Sequence, residues 1–330
     1  MATVFGSVRR HIFTPSLHDV TFAARGFPVT PSAATRRLEA IPQSVICGFE
    51  WGIETKTNDE LERRLEFIDA PLRGFAYEGA AMALTVLDAM RPGNRSRARE
   101  LLTGAGRPHT LLTYIGIGFA MSHLPRPLWR NVIPDLSGTP YYPTMSWLAV
   151  DGYGFDLAYF HTDKWVWQQR RPAPYAWEGD PEYFLRACDQ GVGRALWFIH
   201  GGQPADVAAT VAKFAEHRRA DLWSGVGLAA TFAGGTDPEG YATLRTLAAG
   251  HVPELAQGAV FAAKARDLAG CVPEHTNEAV GVLTGLSVPV ASKLADDVAA
   301  GGLRGEGVPA YEVWRRLLHA HFAETETVAY

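Results

Sequence analysis

The chain has few cysteines, no excess of positive charge and no long apolar run. Its three cysteines, Cys47, Cys188 and Cys271, lie far apart without metal-binding spacing, so neither a disulfide framework nor a thiolate metal site is indicated. A net charge of -4 argues against nucleic-acid binding. No window of 18 apolar residues and no secretory signal are found, so we predict a soluble, cytoplasmic protein without a membrane span.

The usual signatures of cofactor sites are also missing. The stretch DQGVGRALWFIHGG is rich in glycine, but Leu196 stands where a dinucleotide fingerprint needs its third glycine. The chain contains no Gly-Lys-Ser/Thr, no His-Glu-x-x-His, no Cys-x-x-Cys and no Gly-x-Ser-x-Gly. The sequence therefore indicates no phosphate-binding loop, no metal site and no serine hydrolase, and it identifies no flavin, haem or iron site.

Aromatic residues are plentiful, with nine Trp, eleven Tyr and sixteen Phe. One interpretation is a large aromatic core. The other is a pocket shaped for a large apolar or conjugated ligand. The composition leaves both open.

A glycine motif recurs six times at intervals of 31 to 39 residues, which indicates an internal repeat. The copies have apolar residues at helical spacing, and some end on Gly-Gly, so they are predicted to be helices. We therefore predict an all-α, mainly α-helical fold, a helical-repeat architecture with two pseudo-symmetric halves of three glycine-marked units each. The halves are residues 1–167 and 168–330, packed as one compact unit. The aligned glycines are Gly79, Gly118, Gly154, Gly193, Gly227 and Gly258.

Local signals set several expected boundaries. Thr57 or Asn58 and Asp237 are predicted N-caps, the last followed by Pro238. Residues 203–219 fit one helix that ends in basic residues, and residues 41–55 fit either a strand or an apolar helix. Two proline-containing segments, 125–147 and 168–182, are predicted to be irregular connections.

The repeat gives its glycines two alternative roles. A small residue at the aligned position, and another two residues before it, would let neighbouring helix backbones approach closely. Alternatively, a glycine could contact a ligand directly. We favour packing as the role of most of them.

Polar residues depart from the repeat at three positions next to these glycines. Glu78, Asp156 and Arg194, with Gln257 as a weaker case, stand where the other copies carry small or apolar residues. An unpaired buried charge is costly, so such groups are paired or used. They could form an ion pair between the halves, with Arg194 bound to Glu78 or Asp156. They could instead be catalytic groups with shifted pKa values, or lie on the surface.

Further polar and aromatic side chains surround these positions. We predict that Tyr153, Tyr159, His161 and Trp197 bind the ligand. Asp156 and Tyr159 are three residues apart, so a helix would place them on one face. His161 could carry a proton or simply be hydrogen-bonded in place.

Four long motifs resemble the UnbL-type proteins of bacterial enediyne biosynthesis. They are RGFAYEGAAMALTVLDAM (73–90), DGYGFDLAYFH (151–161), DQGVGRALWFIHGG (189–202) and WSGVGLAATFAGG (223–235), and the likeness extends from about residue 20 to about residue 290. The resemblance implies action on a linear conjugated polyene made by an iterative polyketide synthase, during maturation towards the enediyne core. It also implies an UnbU-like membrane protein and an UnbV-like repeat protein as partners, and membrane association through a partner.

Three functions fit these expectations. The chain could be an enzyme or enzyme subunit in which Glu78 and Asp156 exchange protons with the polyene intermediate while Arg194 holds their charge state. It could be a non-catalytic carrier or scaffold that presents the hydrophobic intermediate to those partners. The third alternative is a protein–protein repeat module without a small ligand.

Overall fold

The computed structural model of the chain describes residues 16–90, 97–300 and 307–327. Within these ranges the secondary structure is helical and no β-strand occurs, which confirms the all-α prediction. None of the described helices is both long enough and apolar enough to span a lipid bilayer. The α-helices are α1 (Phe22–Arg25), α2 (Ala33–Glu54), α3 (Asn58–Leu65), α4 (Ala70–Ala89), α5 (Arg97–Thr103), α6 (Thr110–His123), α7 (Trp147–Phe160), α8 (Pro181–Ile199), α9 (Pro204–Val211), α10 (Glu216–Ala233), α11 (Pro238–Ala248), α12 (Val252–Leu268), α13 (Glu274–Thr284), α14 (Val288–Ala300) and α15 (Ala310–Thr327).

Capping side chains begin several helices where the sequence predicts them. The Thr57 hydroxyl accepts a hydrogen bond from the backbone N–H of Glu60 at 3.3 Å, and the Asp237 carboxylate accepts one from Gly240 at 2.8 Å. These bonds satisfy donors that the first turn of a helix leaves free. Helix α10 ends at Gly234, whose φ of 72° lies in the region that glycine adopts most readily.

Two local expectations need correction or completion. Residues 203–219 do not form one helix, because α9 ends at Val211 and the basic residues belong to the first turns of α10. Residues 41–54 are helical, and α2 continues through Pro42. The segment 125–147 is irregular as predicted, with short 3₁₀ turns.

The chain divides into two compact units at positions that differ from the predicted boundary at residue 167. Unit 1 comprises Met1–Gly26 and Glu39–Tyr153. Unit 2 comprises Phe27–Leu38 and Gly154–Tyr330. The predicted pseudo-symmetry of two halves stays a prediction.

Unit 2 contains two rows of helices that alternate along the chain. In one row α10 packs between α8 and α12, and α12 also packs against α14 and α15. In the other row α11 packs between α9 and α13. In unit 1, α4 packs against α6, and both α3 and α5 pack against α4.

The six aligned glycines lie where a Cβ would collide with the backbone of a neighbouring helix, which confirms their predicted packing role. In α10, a Cβ added to Gly225 would collide with the backbone carbonyl of Gln190 in α8. A Cβ added to Gly227 would collide with the backbone carbonyl of Leu255 in α12. Two residues in an α-helix are about 200° apart, so the Gly-x-Gly pair presents bare backbone to the helices on both sides. In unit 1, Gly116 and Gly118 of α6 face α4 and α7 in the same way.

These contacts also correct the alignment of the first and last copies by two residues. Gly79 faces Val45 in the preceding long helix, and Gly258 faces Ser224 in α10. Both therefore correspond to the first glycine of a Gly-x-Gly pair, such as Gly116 or Gly225, and not to the second. The residue before that first glycine is then polar in five of six copies, namely Glu78, Asp151, Gln190, Ser224 and Gln257, with Ile115 as the exception.

The corrected alignment changes which residues stand out. Glu78 follows the usual pattern, so the argument that singled it out was wrong, although its catalytic role stays a prediction. Asp156 is the only carboxylate at a position where the other five copies have alanine: Ala83, Ala120, Ala195, Ala229 and Ala262. Arg194 stands where the other five have large apolar residues: Met82, Phe119, Phe155, Leu228 and Phe261.

Candidate functional site

The three polar residues predicted to be catalytic are all buried. The exposed fraction is 2% for Glu78 in α4, 5% for Asp156 in α7 and 7% for Arg194 in α8. Glu78 belongs to unit 1, whereas Asp156 and Arg194 belong to unit 2. Their burial excludes the interpretation that these groups lie on the surface. The two remaining alternatives are a structural ion pair and a catalytic role.

Asp156 lies on the helix that supplies part of an aromatic cluster in unit 2, which comprises Phe27, Phe155, Tyr159, Phe160 and Phe198. The Tyr159 ring stacks on Phe155 at a centroid distance of 5.5 Å and meets Phe27 edge-on at 5.1 Å. Phe198 of α8 meets Phe155 edge-on at 5.6 Å. Stacked and edge-on pairs of this kind stabilise an apolar core.

The Arg194 guanidinium lies over this cluster. Its central carbon is 5.0 Å from the centroid of the Phe155 ring, within the range of a cation–π interaction. The cluster therefore combines an apolar aromatic surface with a buried cation, and Asp156 follows Phe155 directly in the chain.

The other residues predicted to bind the ligand have different surroundings. Trp197 is fully buried, and its indole N–H donates to the carbonyl of Gly234 at 2.7 Å, which is a structural role. Tyr153 belongs to unit 1 and meets Trp129 edge-on at 4.9 Å. His161 follows the end of α7 and is exposed. Of these residues, only Tyr159 is in the aromatic cluster.

Sequence reasoning missed a charge cluster in unit 2, formed by Arg186, Asp221, Glu312 and Arg315. Arg186 binds Asp221 through two nitrogens, at 3.0 and 3.1 Å, and binds Glu312 at 2.9 Å. Arg315, with no exposed surface, donates to Asp221 at 2.8 Å and to the Tyr183 hydroxyl at 3.2 Å. Opposite charges thus balance each other within one network.

A row of polar side chains connects this cluster to the glycine-marked helices. Oε1 of Gln257 accepts hydrogen bonds from the Ser224 hydroxyl at 2.7 Å and from Nε of Arg315 at 3.1 Å. His319 Nε2 lies 3.3 Å from the same oxygen. The polar position of the repeat therefore holds neighbouring helices together through side-chain bonds as well as glycine contacts.

Burial and charge shift the pKa values of this network in defined directions. Burial alone would raise the pKa of Glu312, but the Arg315 and Arg186 guanidinium groups lower it to about 2. Burial, reinforced by the positive charge of Arg315, lowers the pKa of His319 to about 3. Both groups therefore keep their neutral-pH forms well into the acid range, with Glu312 ionised and His319 uncharged.

The lowered pKa of His319 predicts that the fold loses stability in mild acid. Below about pH 6.5 the unfolded chain binds a proton at this histidine while the folded chain does not, down to its folded pKa of about 3. Each pH unit in that window costs about 1.4 kcal/mol. Between pH 7.5 and 5, the unfolding free energy of the native chain should fall by about 2 kcal/mol more than that of His319→Gln, measured by urea titration. Equal losses in the two proteins would contradict the assigned shift.

The comparisons identify a family but no function. Residues 4–322 match the family described as "Protein of unknown function (DUF1702)". Since the match covers most of the 330 residues, the chain belongs to this family. A search of curated proteins and a search of solved structures each found no match.

Proposed function

We propose that this member of the family acts in enediyne polyketide biosynthesis, on a linear conjugated intermediate derived from a polyene. The proposal rests on the resemblance to UnbL-type proteins and on one structural observation. Asp156 is buried on the helix that carries Phe155 and Tyr159, at a position where the other copies of the repeat have alanine. Packing alone does not call for a carboxylate there, whereas acid–base chemistry does.

The aromatic cluster is the proposed binding surface. A conjugated hydrocarbon has no charge to recognise, so its binding depends on apolar contact and on stacking with aromatic rings. The Tyr159 and Phe155 rings stack on each other, Phe27 and Phe198 meet them edge-on, and Phe155 is half-buried. Arg194, above Phe155, adds a cation that attracts the electron-rich face of a π system.

In this proposal Asp156 exchanges a proton with the bound chain. A carboxylate that removes a proton from an activated carbon and returns it to another carbon of the same chain moves a double bond without changing the oxidation state. Such a step needs no redox cofactor. Formation of an alkyne is an oxidation, so the proposal assigns that step to a partner in the pathway.

The first test measures the binding of a C15 conjugated polyene to the chain. Binding is detected through the tryptophan fluorescence of the protein and through the absorbance of the polyene. We expect saturable quenching and a shifted polyene spectrum, with Phe155→Ala weakening binding about tenfold or more, as expected for loss of a stacked aromatic contact. If neither quenching nor a spectral shift occurs, ligand binding is wrong and the interaction-module alternative is favoured.

A second measurement separates an enzyme from a carrier. Asp156→Asn should bind the polyene as tightly as the native chain but lose at least about 100-fold in product formation with the pathway partners, the usual contribution of a proton-transfer group. Asp163→Asn is the matched control, because Asp163 is exposed just beyond α7. Full product formation by Asp156→Asn would contradict the catalytic role of Asp156 and would favour the carrier or scaffold alternative.

A further inference from the structure

Unit 1 contains a cavity of about 350 Å³ that the proposed function does not use. The cavity lies where α4 and the start of α5 meet residues 128–135. Its size is within the range of small-molecule pockets. None of its lining residues belongs to the aromatic cluster or to the charge cluster.

The floor of the cavity carries two polar side chains on α4. Thr85 is 3% exposed, and within the described part of the chain its hydroxyl has no hydrogen-bond partner. A buried hydroxyl without a partner costs free energy, which a hydrogen bond to a group bound in the cavity would offset. One turn along, the Asp88 carboxylate accepts a hydrogen bond from the backbone N–H of Ala98 at 2.9 Å. The Thr85 hydroxyl can both donate and accept, so the floor suits a ligand hydroxyl.

The rim of the cavity offers a positioned cation. Nε of Arg99 donates to the carbonyl of Asp135 at 2.8 Å, which fixes the guanidinium. Among the described residues, no carboxylate lies within 4.0 Å of the nitrogens of Arg99. The Asp135 carboxylate is instead bound by Ser137, through its hydroxyl at 2.6 Å and its backbone N–H at 3.0 Å. Those bonds lower the pKa of Asp135, and the positive charge of Arg99 lowers it further.

Apolar side chains make up another part of the lining. They are Leu128, Val132 and Ile133, and the exposed Arg130 adds a second guanidinium. A guanidinium binds carboxylates through paired, charge-assisted hydrogen bonds. The lining thus combines a buried hydroxyl, apolar side chains and exposed guanidinium groups.

We propose that this cavity binds a small hydroxylated carboxylic acid, with its carboxylate at Arg99 and its hydroxyl at Thr85. The proposal is independent of the polyene function, because the two sites share no residue and lie in different units.

Calorimetric titration of the full chain with three C8 probes tests the ligand class. Octanoate should bind saturably and about tenfold more tightly than octan-1-ol, because only octanoate engages the rim cation. 8-Hydroxyoctanoate should bind more tightly than octanoate. Equal binding of octanoate and octan-1-ol, or no saturable binding of any probe, overturns the proposal.

Three variants assign the contacts. Arg99→Gln should weaken octanoate binding about tenfold, whereas Arg63→Gln, an exposed arginine of unit 1 outside the cavity, should leave it unchanged. Thr85→Val keeps the side-chain volume and removes the unpaired hydroxyl. It should cancel the advantage of 8-hydroxyoctanoate over octanoate without weakening octanoate. If Arg99→Gln leaves octanoate binding intact, the cavity does not bind carboxylates.

Discussion

Replacing Gly193 by alanine is expected to destabilise the protein by more than about 4 kcal/mol, enough to unfold a protein of ordinary stability. The added methyl group would lie well inside contact distance of the backbone carbonyl of Leu222 in α10, with the Leu222 Cα also within 2.8 Å. A backbone cannot rotate away as a side chain can, so α8 and α10 would have to separate along their whole interface.

Gly281→Ala is the matched control. Gly281 lies inside helix α13 of the same unit, and a Cβ there would meet nothing within 4 Å. The same substitution should stabilise the chain by up to about 1 kcal/mol, because alanine loses less backbone entropy than glycine in a helix. Urea titration followed by circular dichroism at 222 nm measures both. If the two substitutions changed the free energy of unfolding by similar amounts, helix propensity would explain the effect at Gly193, and the close contact between α8 and α10 would not.

Arg315→Ala is expected to cost about 3–5 kcal/mol, the usual effect of breaking a buried ion pair. Arg315 has no exposed surface and bridges Asp221, the Tyr183 hydroxyl and Gln257. Its loss would leave Asp221 with Arg186 alone, which Asp221 would share with Glu312. The cations left beside the two buried carboxylates, Arg186 and Arg316, are partly exposed and compensate them poorly.

The neighbouring arginine provides the comparison. Arg316 also binds Glu312, at 2.8 Å, but its side chain is 58% exposed. Arg316→Ala should therefore cost between about 0 and 1 kcal/mol. A double-mutant cycle with Asp221→Asn and Arg315→Ala should show coupling, since the two side chains are in contact. Equal costs for Arg315→Ala and Arg316→Ala would mean that burial does not strengthen the network.

Many helix ends could be predicted from the sequence, because they depend on residues that are close together in the chain. The Asp237–Pro238 start of α11 is one example, and the Gly-Gly ends of α8 and α10 are another, because caps and left-handed glycines act over a few residues. The break between α9 and α10 was missed because apolar spacing continues across it. The alignment error at Gly79 arose because a single glycine does not show whether it contacts the preceding or the following helix. A Gly-x-Gly pair contacts both.

The charge cluster could not be found by the same reasoning. Glu312 and Arg315 are three residues apart on α15, a spacing that is common on exposed helix surfaces. Arg186 and Asp221 lie far from them in the chain, and only tertiary packing brings the four together. By contrast, the repeat singled out Asp156 from the sequence, because the other copies carry small apolar residues at its position. The repeat left both burial and exposure open, and the structure shows that the side chain is buried.

The paired glycines also determine where the chain can change length. In α10, Gly225 and Gly227 contact helices on opposite sides, so each must keep its angle around the helix axis. One residue inserted between them would turn everything after it by about 100°, and Gly227 would be replaced at the α12 contact by a residue with a side chain. The connections carry no such constraint. Insertions and deletions that accumulate as the family diverges should therefore fall between the glycine-bearing helices, which keep their length while the connecting segments lengthen and shorten.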